Sequence, residues 1–357
     1  MASGPGPMRG DLILPLSMLA LMVVADVLLP PTVIIIGAFA VPVFVASALT
    51  TPGRTALVAL AATVLTTVSA AWNQDFATAD WWVRVALTGS FSALAVILSR
   101  MRVRRELALQ HMTVIAETAQ RAVLRALPQK LGPMRFAVRY VSATPAALVG
   151  GDLYEVADTP YGIRVIVGDV RGKGLDAVQM AATVLAGFRA AALVQPSLSG
   201  IAKELDSVVT AVAEAEDFVT VVLVEFHDDH SVGLVNCGHH PPLLISETGQ
   251  AAALDAGEPQ PPLGLHPTPR VATSTCRDGD RLLIYTDGLV ETRDANGMFF
   301  PLQRAASELQ RGVLDEALDG LLSRLNDHAD QHLSDDVALV LAEYRPPLRN
   351  SLRPVAP

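Results

Sequence analysis

Four apolar runs fill the first hundred residues of this chain: Leu12–Leu29, Thr32–Leu49, Thr55–Ala71 and Trp82–Ser99. Each is 17 or 18 residues long. As a helix that is roughly 26 Å, at about 1.5 Å per residue, the reach needed to cross the hydrocarbon core of a bilayer. Such runs could also form the buried core of a soluble helical domain, but four in succession with almost no charge argue against it. Pro15 and Pro42 are tolerable inside membrane helices. Arg84 lies one turn from the end of its run, where it can snorkel to the interface. A cleaved signal peptide is a poor match, because only Arg9 precedes the first run and three more follow it.

The rest of the chain has another character. The whole sequence is 51% hydrophobic with a mean hydropathy of +0.37, too apolar for an average soluble protein and too charged for a purely membrane one. Net charge is −9 overall, −1 over residues 1–99 and +5 over residues 100–130, which leaves −13 for residues 131–357. So acidic a C-terminal part is a poor nucleic-acid binder, and no nucleic-acid partner is expected. Its anionic field suits the gathering of divalent cations. Cys237 and Cys276 are too few for a disulfide framework and fit a reducing compartment. Cys237-Gly238-His239-His240 lacks the second cluster a zinc site needs.

Orientation follows from the basic flanks. Arg9, Arg54 and the segment "SRMRVRR" mark one side, while Pro30-Pro31 and "WNQDFATAD" on the other carry no Lys or Arg. The positive-inside rule places both termini in the cytoplasm. Trp72, Trp81 and Trp82 stand where interface anchors belong, and the loops are too short to hold an extracellular sensor. Met101 to Leu127 contains no Gly or Pro, and Leu107, Met112, Ile115, Ala119, Ala122 and Leu127 recur at helical spacing. This predicts a helix that leaves the membrane and ends at Pro128. Two readings stay open: a plain spacer, or a signalling coiled coil pairing two copies over about three heptads.

From Phe136 onward short β-rich runs appear: "RFAVRYVSA", "GIRVIVGDV", "FVTVVLVEF", "SVGLVNCG", "PPLLIS", "RLLIYTD" and "DVALVLAEY". Helical stretches are expected over 174–194, 199–214 and 301–332. The pattern is α+β with a mainly antiparallel sheet. Acids sit at the strand edges. In "LLIYTDGLVETRD" an apolar strand stops on Asp287 with Gly288 behind it, which turn chemistry alone would explain. The same happens at Gly150-Gly151-Asp152, at Asp169 after "IRVIVG", and at Asp335-Asp336 before "VALVLAEY". Clustered carboxylates raise one another's pKa, so a fold that keeps them together calls for a compensating cation. Oxygen ligands select hard ions, Mg²⁺ or Mn²⁺.

In their order and spacing, "GGDLYE", "GDVRGKG", "NCGHHPPLL", "PPLGL", "YTDGLVE" and "SDDVALVLAEY" resemble the SpoIIE/RsbU-type members of the PPM metal-dependent serine/threonine protein phosphatases. The resemblance covers about Leu127 to Tyr344. It implies a sandwich of two antiparallel sheets flanked by α-helices, with two Mn²⁺ or Mg²⁺ ions at one edge. Carried over by motif, Asp169 bridges both metals and the Val170 carbonyl helps hold one. Asp287 and one of Asp335 and Asp336 hold the other, Asp335 being the better match. Asp152 binds a metal directly or through water. Glu155 and Glu291 are candidates for an outer shell, or else solvated turn residues. The implied reaction is attack by metal-activated water on a phosphoserine or phosphothreonine. The implied substrate is a phosphorylated anti-sigma-factor antagonist of the STAS type. The superfamily's phosphate-gripping Arg has no clear equivalent; Arg139 and Arg171 are candidates. "GDVRGKG" lacks the spacing and the Ser/Thr of a nucleotide P-loop. His239 and His240 are expected in a turn rather than in catalysis. In the resembled group the two helices after Gly174 act as a switch, and coupling to them through residues 101–127 is expected.

The expected domains are a transmembrane region 1–99, a linker helix 100–127, a phosphatase domain 128–345 and a disordered tail 346–357. Two other readings compete. A non-catalytic, membrane-tethered binder that sequesters a partner would be expected to have lost acids. A sensor kinase would need an ATP-binding glycine box, and His111 lacks a kinase-like surrounding sequence.

Overall fold

The structure, a computed structural model of the chain, describes residues 12–28, 38–73, 75–142, 150–214, 216–330, 333 and 335–345. The expected tail 346–357 and residues 29 and 32–37 of the first two apolar runs lie outside the described residues. The chain divides into two compact units, Met1–His111 and Met112–Pro357.

The first unit is helical: α1 (Ile13–Leu28), α2 (Val41–Leu49), α3 (Pro52–Val68), α4 (Ala70–Asn73) and the start of α5 (Ala79–Val123). Its interior holds small and hydroxylated side chains, among them Ala46, Ala62, Ala95, Thr55, Thr66 and Ser99, while Leu57, Leu60 and Ile97 face outward. Thr55 Oγ1 lies 3.4 Å from Ser99 Oγ. Leu19, Phe39, Val43 and Val58 are buried with them, so small residues let the helices approach and larger apolar ones fill the remaining space. Trp81 departs from its expected place as an interface anchor: it is buried and donates to the Thr67 carbonyl at 3.1 Å. Arg84 is also buried and ion-paired with Asp75. Three helices among the described residues are long and apolar enough to cross a membrane: Pro52–Asn73, Ala79–Leu109 and Leu175–Val194. The last belongs to the second unit, and half of its apolar window is buried there. Ile13–Leu28 and Ala38–Leu49 are shorter apolar helices.

α5 ends at Val123, four residues short of the expected Leu127. The cause is tertiary: Leu124 and Leu127 leave the helix to pack against the core of the second unit. That unit contains β1 (Lys130–Leu131), β2 (Met134–Val141), β3 (Leu153–Thr159), β4 (Gly162–Val170), α6 (Leu175–Val194), α7 (Leu198–Val212), β5 (Val219–Phe226), β6 (Ser231–Cys237), β7 (Leu243–Ile245), β8 (Ala251–Ala253), β9 (Ala272–Thr275), β10 (Arg281–Tyr285), α8 (Asp287–Glu291), α9 (Leu302–Ala306), α10 (Leu314–His328) and β11 (Val337–Tyr344). One sheet has the order β1-β2-β11-β10-β7-β8 and the other β3-β4-β5-β6-β9. Every strand pair within them is antiparallel.

Alternation along the strands explains the layers. Val165, Val167, Leu282, Ile284, Ala338 and Val340 point into the space between the sheets. Ile166 and Leu223 face α6 and α7 on one outside, and Leu283, Leu339 and Leu341 face α9 and α10 on the other. Strands covered on both faces read as unbroken apolar runs, as "VALVLAEY" does. The helix expected over 301–332 is broken in two. Gly312 adopts φ +68°, and the buried Arg281 donates to the carbonyls of Leu309 and Gly312, ending the first piece before α10 begins.

Candidate active site

Antiparallel pairing brings the acids together. Asp152 immediately precedes β3, and Asp169 stands near the end of its neighbour β4. Asp287 follows β10, and Asp335-Asp336 precede its neighbour β11. The start of one strand lies beside the end of the next, so each sheet delivers its acids to one edge. Thr286 Oγ1 joins the two sheets there by donating to Asp152 Oδ2 at 2.9 Å. Glycines permit the close approach: a Cβ on Gly151 would stand 2.5 Å from the Val170 carbonyl oxygen, and one on Gly288 would stand 2.0 Å from that of Asp336.

The electrostatics follow from burial and like charge. Burial pushes Asp152 well above the usual carboxylate range, and Asp169, then Asp287 and Asp336, push it further. Asp169 is raised to about 8 by burial and then by Asp287, Asp335 and Asp336, with Lys173 opposing. Asp287 is raised by burial, Asp335 and Glu291, with His240 opposing. Like charge from the neighbouring aspartates thus acts on Asp152, Asp169 and Asp287, although among the described residues no three His, Cys, Asp or Glu side chains are gathered tightly enough to hold a metal ion.

Asp335 and Asp336 are sorted by environment. Asp336 is 5% exposed and accepts from Tyr140 Oη at 2.5 Å, Ser142 Oγ at 3.0 Å and the Gly150 amide at 2.9 Å. The Asp335 side chain is 41% exposed and takes Lys173 Nζ at 2.8 Å. The donor chemistry fits a hard divalent cation: oxygen ligands of one sign, buried at Asp152 and Asp336 and half-buried at Asp169, Asp287 and Asp335, with Lys173 beside them and glycines that let backbone carbonyls approach.

Other expected residues stand elsewhere. Glu155 is held by Arg189 of α6, whose Nε lies 2.8 Å from its Oε2, and so serves α6 rather than the acids. Glu291 is exposed, and its charge adds to the upward push on Asp287. Arg139 is not free to grip phosphate: it is committed to Asp315 at 2.8 Å and Asp319 at 2.6 Å on α10. Arg171 pairs with Glu216 at 3.1 Å and lies over Phe218. His239 is buried, with Nε2 3.0 Å from the Tyr285 carbonyl and Nδ1 3.0 Å from Thr220 Oγ1. Burial lowers its pKa to about 3. The residues missed from sequence are Tyr140, Ser142, Lys173, Thr220 and Thr286. Thr286 and Lys173 sit inside the quoted motifs and were findable there; Tyr140 lies in a strand with no local signal.

Residues 159–345, just over half of the chain, match the family described as Stage II sporulation protein E (SpoIIE). The chain is similar to phosphoserine phosphatase RsbU of Bacillus subtilis (strain 168), 23% identical over 208 residues, covering 56% of this chain and 61% of that protein. It is also similar to phosphoserine phosphatase RsbP of the same organism, 26% identical over 208 residues, covering 55% and 50%. The chain therefore spans between half and about three-fifths of the length of these relatives. Among solved structures, the SiaA-PP2C domain of Pseudomonas aeruginosa superposes with a TM-score of 0.57 at 18% identity, over 69% of this chain and 98% of that one. The second unit thus has the PP2C-type fold.

Proposed function

Because the chain belongs to the SpoIIE family, we propose that it is a membrane-anchored, metal-dependent protein serine/threonine phosphatase. The observation that carries this reading is the convergence of Asp152, Asp169, Asp287, Asp335 and Asp336 at one sandwich edge, where burial and mutual repulsion raise three of them. Asp169, Asp287, Asp335, Asp152 and the Val170 carbonyl would hold two Mn²⁺ or Mg²⁺ ions, with Asp336 behind them, its oxygens already taken by Tyr140, Ser142 and Gly150. When bound there, such ions lower the pKa of water and neutralise phosphoryl charge. The chain's own residues do the positioning. Thr286 holds Asp152, Lys173 holds Asp335, and the exposed Arg171 is the cation nearest in sequence for an incoming phosphate.

The substrate we assign is phosphoserine or phosphothreonine on an anti-sigma-factor antagonist of the STAS type. The membrane anchor is the N-terminal unit, with both termini cytoplasmic by its basic flanks and α5 as a homodimer contact. The test is hydrolysis of p-nitrophenyl phosphate and of a phosphoserine protein by the full chain in detergent. Activity should require Mn²⁺ and should fall by about a hundredfold or more in Asp169→Asn and Asp287→Asn. Turnover that survives both a chelator and these substitutions would overturn the assignment.

A further inference from the structure

Gln120 lies in the last turn of α5 and is 5% exposed. Its amide nitrogen donates to Tyr140 Oη at 2.8 Å and to the Gly150 carbonyl at 3.0 Å. The Tyr140 hydroxyl donates to Asp336 Oδ2 at 2.5 Å, and the Gly150 amide donates to that same oxygen at 2.9 Å. Gln120 therefore closes a ring of hydrogen bonds with two routes to one carboxylate oxygen. Both amide protons are used, and the Gly150 carbonyl, which can only accept, fixes which way the amide faces. The same turn is held a second time. The Val123 carbonyl accepts from Arg189 Nη2 at 3.2 Å, and Arg189 is also bonded to Glu155.

A buried amide costs free energy unless it is satisfied. Docking of this turn does not require one, since Val123 and Leu124 already pack on the core. What Gln120 adds is register: both of its partners touch Asp336. Hydrogen bonds lengthened by about 1 Å are lost, so a small displacement of the turn takes Gln120 off Tyr140 and off Gly150, the two residues that in turn donate to one oxygen of Asp336, and loosens the Gly150-Gly151-Asp152 segment.

We propose that Gln120 is a positioning residue through which the placement of the last turn of α5 is transmitted to Asp336 and to the segment leading into Asp152. This rests on the phosphatase reading of the acidic edge. It places a direct route from the linker helix beside the expected one through α6 and α7.

The test uses the full chain in detergent, with Mn²⁺ affinity measured by electron paramagnetic resonance and amide hydrogen exchange measured on metal-free protein. The variants are Gln120→Met, which keeps volume and removes both donors, Gln120→Glu, which keeps length and polarity, Tyr140→Phe, and the double Gln120→Met/Tyr140→Phe. Outer partners of metal ligands are worth about 10–100-fold in affinity. We expect Tyr140→Phe to weaken Mn²⁺ binding about tenfold and either Gln120 variant about three- to tenfold. The double variant should fall short of the product of the singles, because the residues act as one network. Exchange over residues 150–156 should quicken in each while unfolding stays cooperative. Gln120 variants within twofold of the parent, with unchanged exchange, or fully multiplicative losses in the double variant, would overturn the inference. Asp169→Asn separates the two levels. If it abolishes Mn²⁺ binding while the Gln120 variants bind normally, only the relay fails. If it binds Mn²⁺ like the parent, the metal reading fails and the relay's role with it.

Discussion

The Thr286 hydroxyl donates to Asp152 Oδ2 at 2.9 Å and accepts from the Ala338 amide at 2.9 Å, so one buried side chain ties the entry to β3 to the start of β11. Thr286→Val keeps the shape and leaves an acid and an amide without their partner. Each orphaned buried group costs about 1–3 kcal/mol. The variant should unfold at lower urea and bind Mn²⁺ about tenfold or more weakly, as loss of an outer partner does. Urea titration and Mn²⁺ titration check the two effects separately.

Asp169 rises to about 8 in the folded protein from an ordinary 3.8. Between those values the folded state keeps a proton that the unfolded chain has released. Stability is then fully present below about pH 4 and is lost as pH climbs toward 8. Asp152 and Asp287 are shifted in the same direction. The second unit, freed of metal by a chelator, should therefore melt at progressively lower temperature from pH 5 to pH 8. Asp169→Asn should flatten that slope, and Mn²⁺ added at pH 7.5 should release protons and restore the melting temperature. A melting temperature that rises with pH across this window would contradict the arrangement.

The acidic edge was legible in the sequence because an Asp that halts an apolar strand is a local event, seen at Asp169 and Asp287 without knowledge of the partner strand. The mainly antiparallel α+β pattern was legible in short strand runs, whereas the division into two stacked sheets came only with the family resemblance. Asp335 and Asp336 could not be separated by position. Both lie just ahead of β11, and Tyr140, a strand away on β2, bonds the one that is enclosed. Gln120 and Tyr140 carry no local mark, since each matters only through the residues that folding brings to it. The break at Gly312 within 301–332 was hidden because Arg281, which ends that helix, comes from β10.

His239 links the sheets, and its partners settle its tautomer. The Tyr285 carbonyl can only accept, so Nε2 carries the proton and Nδ1 accepts from Thr220. With its pKa pushed down to about 3, it stays neutral throughout the working range. His239→Phe keeps the ring and removes both bonds. It should lose about 1–3 kcal/mol of stability while the pH–rate profile between 6 and 8 keeps its shape. A lost limb in that profile would instead assign His239 to the chemistry.

The strands that end near Asp169 and Asp287 carry matching devices at their far ends. Arg164 pairs with Glu225 directly opposite on β5, at 2.5 Å, and Arg281 pairs with Glu343 directly opposite on β11, at 3.0 Å. Each arginine also holds the end of a helical segment. Arg164 donates to the carbonyls of Ala192 at 2.7 Å, Gln195 at 2.6 Å and Pro196 at 3.2 Å. Arg281 donates to those of Leu309 and Gly312. Removing one partner of a buried pair strands the other charge and costs about 3–5 kcal/mol. Arg164→Met should therefore destabilise the second unit by that amount, and more than Glu225→Gln, which keeps an acceptor for the guanidinium. The acid lies five residues along the strand, roughly 17 Å away at about 3.3 Å per residue. Below the lowered transition, Arg164→Met should accordingly bind Mn²⁺ within about twofold of the parent, whereas Thr286→Val should not, even where it is the more stable of the two. Denaturant curves and Mn²⁺ titrations of both variants at one temperature test this separation between what holds the layers and what shapes the site.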